Sequence, residues 1–184
     1  GILSTIFTVF CVIGLTNAFN FIDGADGLCG GLFLTSLISL LCFSIISETY
    51  FLIIDKNLLY VLVISVILFL IININKNFKI FLGDAGSMFI GFLISCFLIL
   101  YTQIYEVIHP VLALWCVTIP TFDIISVIIR RLLRKKNPFK PDRRHIHHIL
   151  LNLGLNDKLV TIIILSFSII INFLGLIILE YFGP

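Results

Sequence analysis

Two asparagines and two aspartates stand close together near the start of the chain, in the string N-A-F-N-F-I-D-G-A-D-G-L of residues 17–28. Asn17 and Asn20 are three residues apart, so they share a face at the end of a helix. The Asp-Gly steps at Asp23 and Asp26 favour turns, because glycine adopts backbone angles that other residues avoid. Amide and carboxylate oxygens gathered in this way suit a hard cation such as Mg²⁺. The alternative is a helix C-terminus with Asx turns and no ligand.

A second candidate is the string F-L-G-D-A-G-S of residues 81–87. Asp84 stands between two glycines, just ahead of a predicted helix whose N-terminus offers free N–H groups and a partial positive charge, which favour phosphate. A plain N-cap role for Asp84 explains the same position. The spacing G-x-x-x-x-G-K-[ST] of a nucleotide-binding P-loop is missing.

The third candidate is a basic segment that ends in three histidines, N-P-F-K-P-D-R-R-H-I-H-H of residues 137–148, preceded by basic pairs at 130–131 and 135–136. Arginine binds phosphate with two parallel hydrogen bonds, and histidine donates to phosphate oxygens or exchanges protons near neutral pH. A juxtamembrane stretch that meets anionic lipid explains the basic pairs equally well. It does not explain why Pro138 and Pro141 stiffen the approach to clustered imidazoles. Zinc is disfavoured, because no H-E-x-x-H motif or cysteine partner accompanies the histidines.

Asp123 lies three residues after Pro120 inside an apolar stretch. A carboxylate at membrane depth is costly and therefore suggests a function. Pairing with Arg130 or Arg131 is the simpler alternative. We assign Asp123 a supporting role behind the site.

The composition requires lipid as the main solvent. Of 184 residues, 60% are hydrophobic and 12% are charged, and the mean hydropathy is +1.18, whereas a soluble domain is about one quarter charged. The five cysteines form no C-x-x-C pair and are predicted to be small buried hydrophobic residues. Because the chain begins at Gly1 within an apolar run, we expect it to be part of a longer protein without a signal peptide.

Six stretches approach the roughly 20 apolar residues that a membrane-spanning helix needs. They are residues 2–19, 30–47, 58–74, 87–105, 108–129 and 159–180. The sequence therefore predicts an all-α, polytopic membrane bundle of about six spans, forming one domain over residues 1–184 with a polar, basic loop at 130–157.

The basic residues predict the orientation. Eleven fall on the side shared by the segments near 20–29, 75–86 and 130–158, and only Lys56 falls on the other. The eleven are Lys76, Lys79, Arg130, Arg131, Arg134, Lys135, Lys136, Lys140, Arg143, Arg144 and Lys158. An excess of this kind marks the cytoplasmic side. All three candidate strings map to that side, which predicts a membrane-level site facing the cytosol.

At these three strings the sequence resembles the polyprenyl-phosphate N-acetylhexosamine-1-phosphate transferases, glycosyltransferase family 4. The matching strings are N-A-F-N-F-I-D-G-A-D-G-L, F-L-G-D-A-G-S and P-F-K-P-D-R-R-H-I-H-H, in the family's order and over nearly the whole chain. The H-I-H-H form is similar to the branch that starts O-antigen and teichoic acid chains. Lipid I translocases of the same family typically carry H-H-H.

The resemblance implies roles for the residues of the first two strings. Asp84 is similar to the family's principal Mg²⁺ ligand, and Asn20 to a second metal or diphosphate contact, with Mn²⁺ as a substitute ion. Phe81 stands where the family stacks the uracil ring. Asp23 and Asp26 look like nucleotide or sugar contacts.

In the same resemblance Asn17 supports these contacts. The loop residues that would hold the diphosphate and the sugar phosphate are Arg143, Arg144, His145, His147 and His148. The residues expected to be catalytic are Asp84, Asp23, Asp26 and His145.

One departure concerns an earlier cytoplasmic loop, on which the family carries an aspartate pair in a D-D-x-x-D-type motif that serves the lipid phosphate. No such pair is present here, and the family's full chains have more spans. We therefore expect a C-terminal portion that is inactive alone.

The implied function is transfer of N-acetylhexosamine 1-phosphate from a UDP-sugar to polyprenyl (undecaprenyl) phosphate, with release of UMP. This would be the first membrane step of cell-envelope glycan synthesis, at the bacterial inner membrane. No nucleic-acid partner is expected, and a homodimer is a candidate assembly. The alternatives are the lipid I-forming transferase, an inactive truncated membrane protein, or a transporter. A transporter should place its polar groups near the bilayer midplane instead of at one surface.

Overall fold

The computed structural model describes residues 1–46, 53–75, 77–106, 108–135, 137 and 144–182. These residues form helices and their connections, which confirms the all-α bundle. The helices are α1 (Ile2–Ile22), α2 (Leu28–Ile46), α3 (Ile53–Asn73), α4 (Gly83–Ile99), α5 (Pro110–Cys116), α6 (Thr118–Leu133), α7 (Ile146–Asn152) and α8 (Asp157–Phe182). A π-helical turn, Leu100–Ile104, continues α4.

The predicted apolar stretches lie on helices, but not each on one straight span. In the described part of the chain, α1, α2, α8 and α4 with its π-helical turn are long and apolar enough to cross a membrane. A fifth crossing requires α5 and α6 together, and they meet at an angle of 92°. The apolar part of α3, Asn57–Asn73, is shorter. Within the described residues, length and composition therefore support four to five spans, compared with the six predicted.

The break between α5 and α6 has a local cause. Proline has no N–H group, so Pro120 cannot donate to the carbonyl of Cys116 four residues earlier. The Ser36 hydroxyl of α2 lies 2.6 Å from that carbonyl oxygen and donates to it instead. A tertiary hydrogen bond thus satisfies the backbone group that the proline releases, which membrane helices require.

Helix α2 forms the centre of the bundle. In its most apolar window 67% of the residues are buried, compared with 11% in α1. Small residues permit close packing around it: a Cβ at Gly31 would lie 2.6 Å from Leu165 of α8. A Cβ at Gly91 of α4 would lie 2.9 Å from the Thr16 Cα of α1. Close backbone approach of this kind is typical of membrane helix pairs.

The structure changes three local predictions. Helix α4 begins at Gly83, so Asp84 lies in its first turn and Leu82 occupies the N-cap position. The predicted loop 130–157 contains the end of α6 and the whole of α7. The cysteines are free, but only Cys29 and Cys116 are buried, while Cys11 is exposed.

Candidate active site

The end of α1 and the start of α4 bring the first two strings together. Asn20 Nδ2 donates to Ser87 Oγ at 3.0 Å and lies 3.4 Å from Asp84 Oδ1. Ser87 is fully buried and donates back to the first turn of α4. The close packing of α1 on α4 therefore places an amide and a carboxylate that are 64 residues apart in contact at one end of the bundle.

Asn73, the last residue of α3, connects the two loops that carry these strings. Its Oδ1 accepts from Gly27 N at 2.7 Å, and its Nδ2 donates to Ile80 O at 2.7 Å. Gly27 has φ +72, a left-handed conformation that glycine adopts without strain. One buried amide thus fixes both backbone segments relative to α3.

A cleft of about 280 Å³ opens between these loops. Four of the predicted site residues line it: Asp23, Asp26, Phe81 and Asp84. Asp157, at the start of α8, contributes a further carboxylate. The cleft is therefore rich in acidic oxygens and carries one exposed aromatic ring at its edge.

The carboxyl group of Asp23 has a raised pKa. Burial, and then repulsion by the Asp84 carboxylate, raises its pKa to about 6. Burial disfavours the charged form of any carboxyl group, and the nearby Asp84 carboxylate disfavours a second negative charge. A bound cation would relieve this repulsion.

Lys79 lies in the sequence between the first string, residues 17–28, and the second string, residues 81–87. Its Nζ contacts both carboxylate oxygens of Asp26 at 2.7 Å, and it lies 4.7 Å from the centre of the Phe81 ring. A cation near an aromatic ring is attracted by the ring's electrons. Lys79 therefore contacts both the Asp26 carboxylate and the Phe81 ring at the edge of the cleft.

The histidine segment is anchored by Asp123 of α6. Asp123 Oδ2 lies 2.7 Å from His145 Nδ1, and Asp123 Oδ1 accepts from Ile146 N at 2.8 Å. Asp123 and His145 are both buried. The His145 ring centre lies 5.4 Å from that of Phe21, so this anchor brings the segment to the end of α1.

His147 packs behind the first string. It is buried, its ring is adjacent to Gly24, and neither ring nitrogen has a hydrogen-bond partner among the described residues. Burial and the neighbouring His148 lower its pKa to about 4, with a smaller opposing effect from Asp123. His147 is therefore neutral near pH 7.

The remaining predicted residues have varied positions. Asn17 Nδ2 donates to Ile13 O of its own helix at 2.7 Å, so the structure does not bring it to the cleft. The carbonyl of Arg144 accepts from Arg130 at 2.8 Å, and the side chain of Arg144 is outside the cleft lining. Arg143 falls outside the described residues. Asp123 was suggested to pair with Arg130 or Arg131, but its carboxylate instead bonds His145 and Ile146.

Three further residues of the site are hard to recognise in the sequence. Lys79 contributes to the charge pattern that predicts topology, although it also stands two residues before Phe81 in the second string. Asn73 is hidden inside an apolar stretch, where a single amide gives no periodic signal. Ser87 belongs to the second string, but a serine in the first turn of a helix commonly bonds only the backbone of its own helix.

The donor set fits Mg²⁺. The described residues contain no group of three or more His, Cys, Asp or Glu side chains placed to hold an ion. Mg²⁺ needs only one or two carboxylates, and substrate phosphates and water supply the rest. Two ligands of one Mg²⁺ lie at most about 4 Å apart. The 3.4 Å separation of Asp84 and the Asn20 amide meets this limit, and a half-turn of that amide would present its oxygen.

Comparison with known proteins identifies relatives of this chain by sequence. Residues 1–102 match the sequence model of glycosyl transferase family 4. An undecaprenyl-phosphate alpha-N-acetylglucosaminyl 1-phosphate transferase of Yersinia pestis is 33% identical, over 96% of this chain and 49% of that protein. The protein of the same name in Escherichia coli K12 is 32% identical, over 92% of this chain and 47% of its own length.

A relative with that name in Pasteurella multocida is 41% identical over 55% of this chain and 29% of its own length. The chain spans about half the length of the first two relatives. The family match covers the cleft's two principal strings, including Asn20, Asp23 and Asp84. The chain belongs to glycosyl transferase family 4.

Proposed function

We propose that the chain is the catalytic part of an enzyme that transfers N-acetylhexosamine 1-phosphate from a UDP-sugar to polyprenyl phosphate. The contact between Asn20 and Asp84 at 3.4 Å carries the proposal, because it joins two oxygen-rich loops in one cleft. The names of the relatives support undecaprenyl phosphate as the lipid and N-acetylglucosamine as the sugar.

We place the protein in the bacterial inner membrane with the cleft facing the cytosol. Lys79 bonds inside the cleft, and Arg130 bonds the backbone that leads to His145. Basic residues at one end of a helical bundle favour the cytoplasmic side. This placement lets the prenyl tail stay in lipid while its phosphate meets a soluble nucleotide sugar.

In the proposed reaction, a phosphate oxygen of the lipid attacks the β-phosphorus of the UDP-sugar. A new P–O bond forms, the bond from that phosphorus to the bridging oxygen breaks, and UMP leaves with the bridging oxygen and its electron pair. The products are UMP and a polyprenyl diphosphate sugar. Such transfers depend mainly on positioning and charge stabilisation.

The two reactants are anions, so the site must offset their repulsion. When bound by Asp84 and Asn20, Mg²⁺ would neutralise charge on the diphosphate and on the departing UMP. Lys79 orients Asp26 and Phe81 towards the nucleotide. His145 is held through Nδ1 by Asp123, with its ring beside Phe21 at the end of α1.

An exchange assay on the intact protein tests this proposal. With UDP-N-acetylglucosamine, labelled UMP and Mg²⁺, we expect label to enter the nucleotide sugar in the presence of polyprenyl phosphate. Asp84→Asn should lower the exchange rate about 100-fold or more, as loss of a principal charge-stabilising group does. Glu106→Gln, an exposed carboxylate after the π-helical turn of α4, is the matched control and should leave the rate unchanged. Failure of the intact protein to catalyse Mg²⁺-dependent exchange with any UDP-N-acetylhexosamine would refute the proposal.

A further inference from the structure

Gly24 separates the cleft from the histidine helix α7. It lines the cleft on one side, and on the other its backbone touches the His147 ring. A Cβ at Gly24 would lie 2.7 Å from His147 Cδ2 and 2.9 Å from Cε1, closer than folded proteins allow. The ring therefore fits only against glycine.

The surroundings of His147 favour a packing role over a charged one. The ring is 1% exposed, and neither nitrogen has a partner among the described residues. The centre of the His147 ring lies 4.1 Å from that of His148 and 6.1 Å from that of His145. A side chain that bound phosphate directly would line the cleft, whereas His147 is not among the residues that line it.

The two halves of the turn 23–27 have different supports. The second half is held by side chains: Thr161 donates to Asp26 O at 2.9 Å, and Asn73 accepts from Gly27 N. In the first half, Gly24 N donates to Ile22 O at 2.8 Å, which is a local bond between residues two apart in the sequence. Among the described residues, the His147 ring packs against Gly24 of this half.

We propose that His147 is a positioning residue: its ring packs on Gly24 and fixes the half of the turn that presents Asp23 to the substrate. The inference rests on the proposed function for its kinetic consequence, but the contact exists independently of that function. It assigns His147 a role different from direct phosphate binding. The ring at position 147, where it now lies, then requires a residue without a Cβ at position 24.

A double-mutant cycle with Gly24→Ala and His147→Ala tests the proposal in the intact protein. Gly24→Ala adds a methyl group that would overlap the ring, so the buried ring, the turn or both must shift. We expect the KM for the UDP-sugar to rise about tenfold, with a much smaller change in kcat. Adding His147→Ala removes the ring that the new methyl group overlaps. The KM of the double variant should therefore be at least about threefold lower than that of Gly24→Ala, because the effects of substitutions at contacting residues are not additive. Gly14→Ala, with open space around its Cβ, is the control and should change neither constant.

Three outcomes decide the proposal. If the KM increases of the two single variants multiply in the double variant, the proposal is overturned, because independent substitutions have additive effects on the free energy. A fall in kcat alone with unchanged KM would also overturn it, since that marks a loss of folded enzyme. If the parent shows no exchange at all, the proposed function fails, and thermal unfolding of the same four proteins in detergent decides the contact. Recovery of the midpoint in the double variant supports the contact, and additive decreases refute it.

Discussion

Asp123 and His145 form a buried hydrogen bond of 2.7 Å between a membrane helix and the segment that carries the histidines. The second oxygen of the same carboxylate accepts from Ile146 N, the first backbone N–H of α7. One side chain therefore orients a ring and satisfies a helix N-terminus. The position of the histidines depends on where α6 lies.

Two substitutions of Asp123 should destabilise the protein to different extents. Asp123→Ala leaves a buried ring nitrogen and a backbone N–H unpaired, at a cost of about 1–3 kcal/mol each. Asp123→Asn retains one acceptor oxygen, so we expect it to lose less than half as much. Denaturant unfolding in detergent measures both. Glu180→Ala, at an exposed position near the end of α8, is the control, and equal losses for Ala and Asn would contradict the assignment.

The raised pKa of Asp23 predicts a pH-dependent stability. In the folded protein its pKa is about 6, above the unfolded value of about 3.9. The folded state therefore binds the proton more tightly, and the contribution of Asp23 to stability decreases as pH rises from about 4 to about 6. Asp23→Asn removes this loss, so without divalent ions its thermal midpoint should exceed the parent's at pH 7.5 and match it near pH 4.

The comparison of Asp23→Asn with the parent protein is necessary because His147 also titrates. Its folded pKa of about 4 lies below the unfolded value, so its contribution to stability decreases as pH falls through 6.5. Asp23 and His147 change the stability in opposite directions over the same pH range. The pH profile of the parent protein alone therefore does not separate their contributions. The difference between Asp23→Asn and parent isolates Asp23. A difference that stays constant with pH would contradict the prediction.

Lys79 should matter for substrate affinity more than for folding. Its ion pair with Asp26 is about one-third exposed on each side, and such pairs contribute about 0–1 kcal/mol. Lys79→Gln should thus leave the unfolding free energy nearly unchanged. It should raise the KM for the UDP-sugar severalfold, because Asp26 and Phe81 lose their common partner. Lys158→Gln, an exposed lysine in the first turn of α8, is the control. An unchanged KM in Lys79→Gln would remove Lys79 from the site.

The proposed orientation can be tested by labelling from one side of the membrane. Asn77→Cys lies in the loop beside the cleft, and Glu106→Cys lies at the opposite end of α4. A membrane-impermeant maleimide should label position 77 in inverted vesicles and position 106 in right-side-out spheroplasts. The opposite pattern would place the cleft outside the cytosol. The parent protein measures the background from the native cysteines.

Much of the fold was predictable because the bilayer imposes a length on apolar segments. Each predicted stretch lies on helical structure for this reason. The break at Val117 was not predictable from hydropathy, since proline also occurs within continuous membrane helices. What permits the break is the hydroxyl of Ser36, 80 residues away from the carbonyl that it bonds. Tertiary contacts of that kind leave no local pattern.

The site was predictable where a residue type limits the chemistry. Asn20, Asp23, Asp26 and Asp84 stand in turns with glycine, and the structure gathers them at one end of the bundle. Which histidine bonds a carboxylate and which packs on glycine was not predictable, because the spacing H-x-H-H treats the rings alike. The partner of Asp123 was equally hidden, since Arg130 is nearer in sequence than His145.

The amide of Asn73 has a geometric consequence for ligand selection. Its oxygen and nitrogen belong to one rigid plane, and each is bonded to a different rim of the cleft. The rims cannot spread apart at this corner unless one of those bonds breaks. The mouth therefore has a set width there, and a single amide that lines the cleft would limit the size of the ligand that enters.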